Sequence, residues 1–176
     1  VQKLRPDTID DLIAAVALFR PGPMENIPHY IARKQKKEKV TYIHPDLKDI
    51  LEDTYGIIIY QEQIMMIASK MAGFTFGEAD ILRRAMSKKK EDILLSMKDK
   101  FIKGSIEKGY DEEIANEVYN LILKFANYGF NKAHSVSYGV MGYKIAYLKA
   151  HYSSNFMCEI LNNYIEWCNK QEDDYW

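Results

Sequence analysis

Cysteine is scarce in this sequence: Cys158 and Cys168 are the only two in 176 residues, ten apart, with no CxxC and no second pair. That pattern offers no disulfide framework and fits a protein that keeps its thiols reduced. Histidine is sparse too. His29, His44, His134 and His151 do not stand at metal-ligand spacing from one another or from an acid, and HExxH is missing, so no metal site is expected. Neither GxGxxG nor GxxxxGK[ST] occurs, which removes the usual signals of a dinucleotide fold and of a P-loop. Ser135 and Ser137 belong to no GxSxG elbow. The adjacent acids Asp10-Asp11, Glu112-Glu113 and Asp173-Asp174 read as surface or capping positions, not as a strand-borne pair for two-metal phosphoryl transfer. No apolar run approaches the roughly 18 residues needed to cross a bilayer, and the opening VQKLRPDTIDD has no signal-like apolar core. These absences lead to the expectation of a cytoplasmic protein with no membrane partner and no complete active site of its own.

What is present is an ordinary globular composition, 47% hydrophobic and 28% charged, with a net charge of -1. The balance hides an uneven distribution. Residues 33–39 (RKQKKEK) carry +4, residues 83–90 (RRAMSKKK) carry +5, and residues 166–176 carry -3.

Almost every long segment has the 3.6-residue period of a helix. Thr8 with Asp11, and Thr75 with Glu78, form capping-box pairs that predict helix starts. The first precedes the apolar run Leu12, Ile13, Val16, Leu18 and Phe19, and Arg20-Pro-Gly-Pro23 must end that helix. Further helices are predicted over about 28–34, 45–52, 61–71, 76–86, 91–108, 111–128, 135–151 and 155–167, with glycines 73, 109 and 129 as stops. The run YGIIIY at 55–60 resembles a strand, although six residues do not separate a strand from a buried helix by pattern alone. The fold class expected is all-α: an irregular domain of seven to nine helices with one short β-like segment at 55–60. Its extent is 1–165, with sub-lobes 1–128 and 129–165, and 166–176 forms an acidic tail or boundary.

Two places suit an anion. At 83–90, Arg84 shares a helix face with Asp80 and with Lys88, while Arg83 and Arg84, about 100° apart, cannot both centre on one face. That cluster reads either as a solvated helix end favoured by the dipole or as a phosphate clamp of guanidinium forks and mobile lysines. In FNKAHSVSY (130–138), Lys132, His134 and Ser135 stand at a helix start, where amides and dipole favour negative charge; a capping or core role for His134 is the alternative. Tyr138, Tyr143 and Tyr147 fit a packed core as well as a base-stacking surface.

FRPGPM (19–24), YGIIIYQEQIMMIASKMAGFTFGEADILRRAMSKKK (55–90), FNKAHSVSYG (130–139) and YLKAHYSSNFMCEIL (147–161) occur in an order that resembles the alpha subunit of bacterial DNA polymerase III. The likeness is to the DnaE form of low-GC Gram-positive bacteria and covers about residues 3–164. The matching segment is the fingers of a C-family replicative polymerase. The resemblance implies a part of a nucleotidyltransferase that binds the triphosphate of an incoming deoxynucleoside triphosphate and helps position primer-template DNA. Phosphate-binding roles carry over to Arg83, Arg84, Lys88 and Lys89 of RRAMSKK, then to Lys132 and His134 of NKAH. Arg20, Gln61, Gln63 and Tyr138 are implied to lie near DNA or the palm, by contact or by support. The palm aspartates that hold Mg2+ are missing, so the segment itself is implied to contribute no catalytic residue, to bind no cofactor and to be inactive alone. The implied partners are the palm in cis and, through the full-length protein, the sliding clamp and other replisome subunits at the nucleoid. A non-catalytic helical interaction or structural module is the alternative.

Overall fold

The structure, a computed structural model, describes residues 1–20, 22–88, 90–126 and 129–173. Among them are nine α-helices and three short 3-10 turns, and no strand of a sheet is present. They are α1 (Ile9–Leu18), α2 (Ile27–Lys34), α3 (Lys48–Leu51), α4 (Gln61–Ala72), α5 (Phe76–Ser87), α6 (Glu91–Glu107), α7 (Glu112–Ala126), α8 (Lys132–His151) and α9 (Ser153–Asp173). The all-α class expected from periodicity holds.

Local sequence accounts for most boundaries. Thr8 Oγ1 accepts from the Asp11 amide while Asp11 Oδ2 accepts from the Thr8 amide, closing the first capping box. Thr75 and Glu78 do the same at α5. Gly73 ends α4 with φ 69°, the left-handed conformation that costs glycine least. The helix predicted over 45–52 is broken instead into a 3-10 turn (Pro45–Leu47), α3 and a second 3-10 turn (Glu52–Thr54). Helix α8 begins at Lys132, not at Ser135, because Asn131 supplies the cap: its Oδ1 accepts from the His134 amide at 2.9 Å.

Two apolar clusters organise the chain. The larger joins α4, α5, α6 and α7, with Ile64, Ile67, Ala68 and Met71 of α4 against Leu82, Phe101 and Ile122. Each of these large side chains, excluded from water, contributes roughly 1.5–3 kcal/mol. The smaller cluster gathers Leu4, Ile13, Ala17, Leu18, Tyr30, Ile57 and Ile59, with Phe130 and Val136 packed on it. Phe19, expected in the α1 stripe, is 75% exposed, and Ala14 and Ala17 face the core in its place.

Residues 57–60 connect the clusters and form neither a helix nor a sheet strand. Ile57 and Ile59 enter the smaller core and Ile58 the larger, so alternation survives without a neighbouring strand. Among the described residues, the one ladder contact is an isolated parallel bridge from Tyr60 to Phe130. Gln63 replaces the missing strand: its Oε1 accepts from the Ile59 and Tyr60 amides at 2.8 and 3.0 Å. Its Nε2 donates to the Ile50 carbonyl and to Thr54 Oγ1, so all of these contacts are internal.

Helix direction follows from the connections. Only three residues separate α4 from α5, which packs back on it. Lys108, just past α6, donates to the Ser69 and Lys70 carbonyls at the end of α4, and Lys100 of α6 pairs with Glu78 at the start of α5. Helices α4 and α6 therefore run the same way and α5 runs against them. The last turn of α5 thus lies at the end of the bundle where α4 begins.

Helix α8 starts at that same end and crosses α1. Ser135 Oγ donates to the Ile13 carbonyl at 2.7 Å, and a Cβ on Gly139 would lie 2.8 Å from Ile13 Cγ1 and 3.2 Å from its Cα. The close approach of the two helices requires these small residues. Beyond Gly139, α8 is exposed at residues 141–151, as is nearly all of α9, including Tyr143, Tyr147, Leu161 and Trp167.

Candidate functional site

The first turns of α4 and α8 meet at one end of the bundle, and the last turn of α5 lies toward the same end. Each brings expected site residues.

On α5, Asp80 lies one turn before the arginines and receives both. Arg83 Nε and Nη2 donate to its Oδ1 at 2.9 and 2.7 Å, and Arg84 Nη2 lies 2.6 Å from its Oδ2. The i,i+4 pair between Asp80 and Arg84 is as the spacing implies. The divergence expected of Arg83 and Arg84 is corrected at their tips: helix geometry separates the Cα–Cβ directions, but three-carbon stems let both guanidiniums reach one carboxylate. Arg83, then burial working against it, then Arg84 set the Asp80 carboxyl, and the net effect is a pKa below the ordinary range. Arg83 is 31% exposed and Arg84 62%, so Arg84 presents more of its donors outward. Lys88 is exposed just past the helix, with its amide on the Arg84 carbonyl. Lys89 lies outside the described residues.

On α8, the anion-friendly start expected from sequence already has an occupant. Glu62, in the first turn of α4, accepts from the Lys132 amide with Oε1 at 3.1 Å and Oε2 at 3.0 Å, and from Asn131 Nδ2 at 3.0 Å. Asn131 takes the His134 amide, and the Ser135 hydroxyl is turned inward. The side chains, not these amides, are what the helix start offers to a ligand. Lys132 Nζ stands 5.4 Å from the centre of the Tyr60 ring, a cation–π distance.

A column of rings continues from there. The Arg20 guanidinium lies 4.1 Å from the Phe130 ring centre, Phe130 meets the His134 ring edge-on at 5.3 Å, and His134 meets Tyr138 at 4.5 Å. Burial pulls the Arg20 pKa below its ordinary value. Tyr138, Tyr143 and Tyr147 are 52%, 53% and 46% exposed, so these tyrosines do not form a packed core in this chain. Gln61 ties the junction: its amide donates to the Phe130 carbonyl and its Nε2 to the Gly129 carbonyl.

The structure therefore gathers Arg20, Gln61, Lys132, His134 and Tyr138 around Phe130, and places Arg83, Arg84 and Lys88 at the same end of the bundle on α5. Gln63 is apart from them as a buried support. A separate cavity of about 230 Å³, lined by Pro23, Arg33, Leu51, Ile58, Lys124 and Phe125 among others, includes none of the expected site residues. Sequence reasoning missed Glu62. Its position between two glutamines at a helix start is visible in YQEQ, but its partner, 70 residues away, has no signature in spacing.

Among the described residues, no three His, Cys, Asp or Glu side chains converge as a metal site would need. No helix among them is long and apolar enough to cross a membrane.

The geometry can be set beside known proteins. Residues 1–109 match the family model described as the bacterial DNA polymerase III alpha subunit finger domain. The DNA polymerase III subunit alpha of Bacillus subtilis is 57% identical over 165 residues, which cover 94% of this chain and 15% of that protein. The corresponding subunits of Halalkalibacterium halodurans and Borreliella burgdorferi are 55% and 54% identical, over 89% and 92% of this chain and 14% of each relative. The chain thus spans about 15% of the length of the curated relatives it matches. It belongs to the finger-domain family of bacterial DNA polymerase III alpha subunits.

Proposed function

We propose that this segment acts as the fingers of a replicative DNA-directed DNA polymerase, holding the triphosphate of the incoming nucleotide and helping position primer-template DNA. The observation that carries the reading is the placement of Arg84 and Lys88 at the same end of the bundle as Lys132 and His134. Cations carried by two separate helices lie toward one end of the bundle, and a polyanionic ligand calls for such a grouping.

In this reading Arg84, the more exposed guanidinium, is the central phosphate ligand and Arg83 anchors it through their shared carboxylate. Lys88, Lys89, Lys132 and His134 add charge around the β and γ phosphates. Arg20 and the Phe130–His134–Tyr138 column face DNA. The primer 3' hydroxyl attacks the α phosphate, a P–O bond forms, and pyrophosphate departs with the electron pair of the broken bond. The fingers cations offset charge on the departing group and orient it. Mg2+, which stabilises the attacking and leaving oxygens when bound, belongs in this reading to palm aspartates outside the segment. The segment alone is then inactive, and it works in the bacterial cytoplasm, at the nucleoid, within a polypeptide that also meets the sliding clamp and other replisome subunits.

Arg84→Ala in the complete alpha subunit tests this. The expected loss in nucleotide kcat/KM is about a hundredfold, the scale of one electrostatic donor to a transition state, with the folding temperature unchanged. Wild-type incorporation would overturn it.

The exposed apolar side chains of α9, Met157, Ile160, Leu161, Tyr164 and Trp167, favour the second reading, a helical interaction module. Binding of primer-template DNA to the 176-residue chain separates the two. The fingers reading expects affinity that falls linearly with log salt, and the module reading expects none at any salt.

A further inference from the structure

We infer that Glu62 is a positioning residue for nucleotide binding: it clamps the first turn of α8 onto the first turn of α4 and so fixes where Lys132 and His134 stand. The inference rests on the phosphate-facing role proposed for those two side chains.

The clamp has charge and direction. A carboxylate at a helix N-terminus meets the positive end of the dipole and takes an amide that has no partner within the helix. Here both oxygens of Glu62 take the Lys132 amide and one also takes Asn131 Nδ2. Asn131 in turn caps the His134 amide. One carboxylate thus holds the backbone of Lys132 directly and that of His134 through one intermediate. Beside it, Gln61 closes the same junction through the Phe130 and Gly129 carbonyls. The Tyr60 ring under the Lys132 ammonium belongs to the same turn of chain, so α4 sets both ends of the Lys132 residue.

The placement also decides how phosphate is met. A free helix N-terminus would bind an anion through amides, as glycine-rich phosphate loops do. With Glu62 on the Lys132 amide, an incoming phosphate that took that amide would have to displace a carboxylate already bonded there. The triphosphate is directed to the ammonium and imidazole, and the carboxylate keeps the turn rigid beneath them.

The experiment compares variants of the complete alpha subunit by steady-state dNTP incorporation, with primer-template affinity measured separately. Lys132→Ala should raise the nucleotide KM about tenfold. Glu62→Ala should raise it by a similar factor, the scale at which an orienting partner acts on the group it holds, with kcat and primer-template affinity within about twofold of wild type. Glu62→Gln keeps one acceptor for the Lys132 amide and should restore most of the loss, and Glu62→Ala with Lys132→Ala should be far less severe than the product of the two. If Glu62→Ala does not fold, Glu62→Asp decides, since its carboxylate is one methylene short of the amide and should raise KM as the alanine does. A raised KM in Lys132→Ala beside a wild-type KM in Glu62→Ala or Glu62→Asp overturns the clamp. A wild-type KM in Lys132→Ala overturns the phosphate-facing role on which it rests.

Discussion

Two basic stretches of nearly equal charge differ in where their leading cations go, although Lys36, Lys37 and Lys39 are exposed in the first as Arg84 and Lys88 are in the second. In 33–39, the side chains of Arg33 and Lys34 are 15% and 10% exposed. Arg33 donates to Glu38 Oε1 and to the Tyr55 carbonyl, and Lys34 reaches both Asp7 and the buried Asp11, fastening α2 to α1. In 83–90, the arginines share one surface carboxylate, and Arg84 and Lys88 stay largely in solvent. Charge count does not distinguish an inward cation from a solvent-facing one. For Lys34 the buried Asp11 carboxylate within reach makes the difference.

The sharpest way to break the contrast is to exchange the consequences. Asp11→Asn should destabilise the 176-residue chain by about 3 kcal/mol, the scale of breaking one side of a buried ion pair. Asp11 is only 2% exposed and also accepts from Thr8 and the Asp7 amide. A urea midpoint equal to wild type would contradict the structural role of Lys34. Arg84→Ala, by contrast, should leave that midpoint in place while reducing incorporation about a hundredfold, or ~2.7 kcal/mol, in the complete subunit.

A smaller effect concerns the far end of α5, which sets the direction in which its arginines leave the bundle. Lys100, with the Thr75 amide, holds the Glu78 carboxyl down at about 2, below its ordinary 4.5. A depressed carboxyl stabilises the fold above its unfolded pKa, and that contribution fades as pH falls from 4.5 toward 2. Melting curves of Glu78→Gln across this range should therefore fall less steeply than wild type, and parallel curves would remove the clamp at that end. The smallest expected change is Asp80→Asn, which lifts the charge that Arg83 and Arg84 share. The nucleotide KM of the complete subunit should fall a few-fold, because a carboxylate that repels phosphate is gone. An unchanged nucleotide KM would place these arginines away from the triphosphate.

Much of the fold was legible because it is local. The capping pairs at Thr8 and Thr75, the α4 stripe and the glycine at 73 all act within a few residues, where sequence spacing is geometry. The YGIIIY run was ambiguous for a physical reason: the Gln63 side chain takes its Ile59 and Tyr60 amides and the Phe130 amide donates to its Ile59 carbonyl, partners that no periodicity announces. The site was legible in part. RRAMSKK and NKAH drew attention to the cations at this end of the bundle, and the Asp80–Arg84 pair followed from spacing. The anion expected at the start of α8 proved to be an internal carboxylate, Glu62, whose contact spans 70 residues. Gln63, grouped with Gln61 by adjacency, faces the interior because the two point about 200° apart on α4.

The most direct measurement is a structure of the complete alpha subunit with primer-template and an incoming nucleotide. Triphosphate oxygens are expected within hydrogen-bond distance of Arg84 and of Lys132 or His134, with Glu62 still on the Lys132 amide. A triphosphate held elsewhere, with these side chains facing solvent, would contradict it.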